Sequence, residues 1–148
     1  MLLKLRQRLA QEESGFTLIE LLVVMLILGI LAAIAIPAFL NQSQKGEDSK
    51  AIADVRTAET AAETYSVEHQ GSYAAMDNAA LIAIEPAVND FTGALTVTVS
   101  GGGTGYAVAV HSTAGGGRDF TLTRAANGAK TRTCAPNGGS CVAGTWGQ

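Results

Sequence analysis

Residues 16–36 read FTLIELLVVMLILGILAAIAI, an almost unbroken apolar run, and its reading decides how the rest of the chain is understood. As an α-helix at about 1.5 Å per residue it is roughly 31 Å long, enough to cross the hydrocarbon core of a bilayer. Lys4, Arg6 and Arg8 all lie on its N-terminal side. The positive-inside rule then predicts a single span with a cytoplasmic N-terminus, and everything after Pro37 outside. Glu20 sits about one turn inside the run. A carboxylate there costs on the order of 2–3 kcal/mol, less near the interface, so it calls for a partner. A plain anchor does not account for it. A secretory signal peptide cut after Ala33-Ile34-Ala35 fits poorly, because the run exceeds the usual apolar region of roughly 7–15 residues and Pro37 falls at the second position after the cut.

The remaining composition is that of one ordinary domain. The 148 residues leave room for one core, and the 47% of hydrophobic residues is concentrated in the run rather than spread through the chain. A net charge of −3 gives no general reason to expect nucleic acid.

The boundary sequence Glu12-Glu13-Ser14-Gly15-Phe16-Thr17-Leu18-Ile19-Glu20-Leu21-Leu22-Val23-Val24 resembles the N-terminal signal of type IV pilins and pseudopilins. The resemblance covers about the first seventy residues. It implies cleavage by a prepilin peptidase between Gly15 and Phe16, N-methylation of Phe16, and Glu20 as the acidic fifth residue of the mature chain. The cut supplies a cation: a new α-amino group is protonated near neutral pH, and methylation leaves it basic. Within one chain it lies a turn from Glu20, and between chains it would neutralise Glu20 of an assembled neighbour, pinning the register. The simpler reading is that Glu20 favours the positive end of the helix dipole. Gly29 and Pro37 weaken the helix. The stretch between them is where a packed filament core would bend or unwind, as the resemblance also implies; an ordinary membrane-exit proline is the equal alternative.

Beyond Pro37 the spacing of Ala51, Val55, Ala58, Ala62 and Tyr65 predicts an amphipathic helix with a narrow, alanine-rich face, capped at Gly71. Residues 72–94 show no sustained period, with Tyr73, Met76, Leu81, Ile82 and Ile84 giving a short helix or a packed loop that Pro86 closes. Then the period becomes two. Leu95, Val97 and Val99, and Tyr106, Val108 and Val110, mark two strands joined by a five-residue glycine loop, 101–105. Residues 120–124 make a third strand after the turn at Gly115-Gly116-Gly117, and Lys130 to Cys134 a fourth. The expected fold is α+β: a long N-terminal helix, half membrane-spanning and half amphipathic, on an antiparallel sheet of three to four strands. The expected divisions are a cleaved leader 1–15, a transmembrane half 16–36, an amphipathic half 37–71, a connecting loop 72–94, and a sheet with a C-terminal loop 95–148.

No cofactor or metal site is expected. The glycine runs lack the lysine and the strand–loop–helix setting of a phosphate loop and read as flexible turns. The Cys134–Cys141 spacing matches no zinc pattern, and His69 and His111 stand on different elements. Outside the membrane a disulfide across Asn137-Gly138-Gly139 is the better account. In the family resembled, such a loop is common in pilins and often lacking in secretion pseudopilins, which favours a pilin. No nucleophile or metal motif supports an enzyme. Charge is segregated: Glu47 to Asp90 holds nine acids against Lys50 and Arg56, whereas four basic residues follow from Arg118 against Asp119 alone. That pattern suits head-to-tail contact between subunits, a basic stripe for DNA, which nothing else supports, or merely a solvated helix beside a mildly basic sheet.

These readings lead to a pilus-like filament subunit of the class used in cell adhesion and motility. It would be held in the cytoplasmic membrane before assembly and be extracellular afterwards. The partners implied are sister subunits, prepilin peptidase, an inner-membrane assembly platform and an assembly ATPase. The alternatives are a pseudopilin of a type II secretion or DNA-uptake system, and a secreted or membrane-anchored binding domain.

Overall fold

The structure, a computed structural model, describes residues 15–91, 93–114 and 116–147. The leader expected over 1–15, with its three basic residues, lies outside these except for Gly15, and so does Gly115 of the second glycine turn. There are two compact units, one ending at Phe39 and one beginning at Leu40, and helix α1 (Leu18–Glu68) contributes to both.

In the first unit α1 is apolar apart from Glu20 and exposed apart from half-buried Ala32, and it is long and apolar enough to cross a membrane. Helical geometry continues through Gly29 and Pro37.

The second unit has the α+β architecture expected, with a four-stranded antiparallel sheet in the order β1 (Leu95–Ser100), β2 (Gly105–Ser112), β3 (Arg118–Arg124), β4 (Lys130–Ala135). Small residues on α1 face large ones on the sheet. Ala51, Val55, Ala58 and Ala62 are buried in one core with Tyr106, Val108, Val110, Phe120 and Leu122. Ala61 joins the predicted face. The helix stops at Glu68, and the Gly71 N–H closes its end on the Ser66 carbonyl at 2.7 Å. Gln70 and Gly71 both adopt positive φ, the geometry of a Schellman-type terminus.

Between helix and sheet, α2 (Asn78–Ile84) starts on Asp77, whose carboxylate accepts the Ala80 N–H at 2.8 Å. Pro86 does not simply close this helix; it opens a 3₁₀ turn, Pro86–Asp90. Leu81 and Val88 anchor the segment in the core.

Strand register places Thr96 opposite Ala109, Ala109 opposite Thr121 and Thr121 opposite Thr133. A second row runs Thr98, Ala107, Thr123, Thr131. These residues form the outer face; the inner face meets α1. The first hairpin loop has four residues rather than five, since Gly105 already pairs with Ser100. It is docked rather than flexible: the Tyr73 N–H donates to the Gly103 carbonyl at 2.8 Å, and a Cβ on Gly103 would stand 2.9 Å from Ala74. Beyond β4, Thr145 bridges to Thr133, and the Trp146 indole N–H donates to the Thr133 and Thr121 carbonyls at 2.9 and 3.1 Å.

Candidate functional site

Two places hold the residues singled out in the sequence. The first is the start of α1. Gly15 and Phe16 precede the helix and are exposed, and Thr17 stands at the N-cap. The Thr17 N–H and hydroxyl both donate to one oxygen of Glu20, Oε2, at 2.9 and 2.7 Å, while the Glu20 N–H donates to Thr17 Oγ1 at 3.2 Å. This reciprocal arrangement is a capping box, which satisfies two of the backbone donors a helix start leaves open. Its signal, a threonine three residues before a glutamate at the head of an apolar run, stands in the sequence. The geometry gives Glu20 a partner in the isolated chain. Its second oxygen, Oε1, accepts no hydrogen bond among the described residues. Gly29 and Pro37 lie further along the same helix and away from this cap.

The second place is the C-terminal loop of the other unit. Cys134 and Cys141 form a disulfide with a Cα–Cα separation of 5.7 Å. The turn it encloses is centred on Gly139 and Ser140, one residue beyond the sequence reading, with Gly138 and Cys141 exchanging backbone hydrogen bonds of 2.8 and 2.9 Å.

Beneath this loop lies a group that sequence reading missed. Asp48, fully buried on α1, accepts from Ser112 Oγ at 2.9 Å, from the Ser140 N–H at 2.9 Å and from Arg118 Nη1 at 3.3 Å. Arg118 also donates to Gln44 Oε1 at 3.2 Å, and its Nε is buried without a partner among the described residues. Gly139, at positive φ, lies against the Asp48 carboxylate with no space for a side chain. A buried ion pair of this kind is costly to desolvate and more costly to leave half-made. Asp48 looked like one more polar residue among the lysines and glutamates where the helix leaves the apolar run. Only strand register reveals that Arg118 faces inward.

The segregated charges therefore meet inside the unit. Besides Arg118 with Asp48, Arg124 Nε lies 3.4 Å from Glu63, and Lys130 Nζ lies 2.7 Å from Glu59 and 3.0 Å from Glu63. Glu63 also accepts from the hydroxyls of Tyr73 and Tyr106 at 2.9 and 3.1 Å. Burial alone would raise the pKa of Glu63, but Lys130 and the two phenols outweigh it and hold the carboxyl below its ordinary value. The same burial, with Glu63 beside it, pushes the Tyr106 phenol up. Three of the four basic residues read as a free stripe are thus internal partners of α1, which removes the basis for a DNA-binding stripe along them. His69 stacks on Tyr65 and His111 meets Asp119, so the histidines stay on separate elements.

Comparison with known proteins bears on the first of these places. The family model described as the prokaryotic N-terminal methylation motif matches residues 11–36. Type II secretion system core protein G of Aeromonas hydrophila is 37% identical over 59 residues, 40% of this chain and 41% of that protein. The protein of the same name from Vibrio cholerae is 37% identical over 59 residues, 40% of each chain. A fimbrial protein of Pseudomonas aeruginosa is 45% identical over 58 residues, 39% of this chain and 38% of that one. The chain thus spans about two fifths of the length of the curated relatives it matches. No solved structure matches it significantly.

Proposed function

We propose that this chain, which belongs through its N-terminal segment to the type IV pilin and pseudopilin family, is the precursor of a filament subunit. A prepilin peptidase cuts it between Gly15 and Phe16, Phe16 is N-methylated, and the apolar half of α1 holds it in the cytoplasmic membrane until assembly. The N-terminus is cytoplasmic and the second unit lies outside. An inner-membrane platform and its ATPase then build processed copies into a fibre. The role is structural rather than catalytic.

The observation that carries this reading is the arrangement at the head of α1. The capping box uses Thr17 and Glu20, both beyond the proposed cut, so cleavage leaves the start of the helix intact. It also leaves Glu20 Oε1 available to a cation. The amine released at Phe16, of the same copy or of the next, is that cation. In an apolar bundle an unpaired carboxylate is strongly disfavoured, so each incoming amine has one favourable axial position. Gly29 and Pro37 are the points where α1 would yield as the helices pack.

N-terminal sequencing and mass measurement of the membrane-resident protein test the processing step. Methylated Phe16 is expected; an N-terminus at Met1 or Ile36 would instead describe a tethered or secreted domain. A second reading, a pseudopilin whose short fibre serves secretion, is favoured by the relatives named type II secretion system core protein G. The disulfide loop and the fimbrial relative favour a pilin. Electron microscopy of surface fibres, beside a secretion assay on a deletion strain, separates the two.

A further inference from the structure

Outside the internal ion pairs several charges of the second unit remain, Lys45, Glu68 and Asp77 among them, and four others stand in two patches. Between Arg56 and Arg118 the sequence contains no lysine or arginine. In that interval Glu85 and Asp90 bracket the 3₁₀ turn Pro86–Asp90, and neither has a cationic partner among the described residues. Arg56 on α1 and Arg132 on β4 likewise meet no carboxylate among the described residues. Both are exposed, and they converge on Gly147: a Cβ there would lie 3.4 Å from Arg56 Nη2 and 3.8 Å from Arg132 Cδ. Arg132 is held in place over the Trp146 ring, 5.6 Å from its centroid.

We propose that these patches are the two halves of one contact between copies of this chain. The acidic 3₁₀ turn of one subunit docks on the Arg56–Arg132 pair of the next. Opposite charge selects this pairing, and like charge opposes either patch meeting itself. A contact made from two different surfaces of the same chain is heterologous: every copy offers one free half of each kind, and association propagates instead of closing as a symmetric dimer. The inference rests on the filament reading and deepens it by naming the outer contact that accompanies the helix core. Exposed pairs are individually weak and screened by salt, so the contact sets assembly yield and its ionic-strength dependence rather than subunit stability.

Charge reversal in the full chain, expressed with its processing and assembly machinery, tests this. One variant carries Arg56→Glu with Arg132→Glu. The other carries Asn89→Lys with Asp90→Lys, which spares the Glu85 cap of the 3₁₀ turn. With the far-UV circular dichroism spectrum and N-terminal processing unchanged, each variant alone should lose at least tenfold in filament yield, and co-expression of the two should restore it, because each then presents what the other lacks. Wild-type yield from either variant alone overturns the proposal, as does failure of the folded pair to rescue. Should the wild-type chain be processed without forming fibres, the filament reading fails separately. Bismaleimide crosslinking in the membrane between an Asp90→Cys copy and an Arg56→Cys copy then decides the contact: a crosslinked dimer supports it, and its absence overturns it.

Discussion

Removing the carboxylate of Asp48 tests the packing of the second unit most sharply. Asp48→Ala leaves the Arg118 guanidinium buried with Gln44 as its remaining partner, and deprives the Ser112 hydroxyl and Ser140 N–H of their acceptor. Breaking a buried pair from one side costs about 3–5 kcal/mol. Against a domain stability of roughly 5–15 kcal/mol, that is a large fraction. For a unit of about this size each kcal/mol moves Tm by roughly 4–8 °C, so a fall of about 12 °C or more is expected. Trp146, the only tryptophan and 2% exposed, reports the transition by fluorescence in detergent-solubilised full-length protein. The informative comparison is with Asp48→Ala combined with Arg118→Met. The double variant no longer buries an unpaired charge and should be more stable than Asp48→Ala alone. A fall below about 3 °C for the single variant, or a double variant less stable than it, would refute the assignment of Asp48 as the acceptor that holds the loop.

Three further outcomes are expected. Glu20→Gln keeps the capping box but loses the charge, whereas Glu20→Ala loses both; if pairing with the new amine drives assembly, both variants are processed and neither yields normal fibres, and wild-type fibre yield from the glutamine variant would reduce Glu20 to a cap. Because the Glu63 carboxyl titrates below its ordinary value in the folded unit, its contribution is present above pH about 4.5 and is lost as the pH falls further, so Glu63→Gln should flatten the acid limb of a Trp146-monitored stability profile. Cys134→Ser with Cys141→Ser frees an eight-residue loop, which the chain-entropy relation values at about 2.5 kcal/mol, and urea titration should show the midpoint fall with little change in slope.

How far the sequence could be read follows from the kind of signal each element carries. The apolar run and the alternation of Leu95, Val97 and Val99, then of Tyr106, Val108 and Val110, are period signals that burial imposes directly, and they located α1 and the sheet. The start of β3 was placed two residues late, since Arg118 breaks the apolar alternation while still pointing inward. Its partner Asp48 is 70 residues away in sequence, and no local pattern joins them. For the same reason the charges looked segregated: Glu59 and Glu63 lie on α1, and Arg124 and Lys130 lie at the β3–β4 turn, so their pairing exists only once helix and sheet are layered. The capping box is different, being local and legible. Attention to the charge of Glu20 hid its role as a hydrogen-bond acceptor.

The two threonine–alanine rows on the outer sheet give this unit unequal freedom to change. Their side chains add only hydroxyls and methyls to the solvent side, and none of them seats the helix. Replacement along these rows by other β-formers would alter what the molecule presents to its surroundings while every inward contact stays as it was. The inner face has no such latitude, because Tyr106 and Arg118 reach Glu63 and Asp48 on α1 and Phe120 is buried in the core shared with that helix. One sheet thus carries a fixed side and a variable side, one residue apart along every strand.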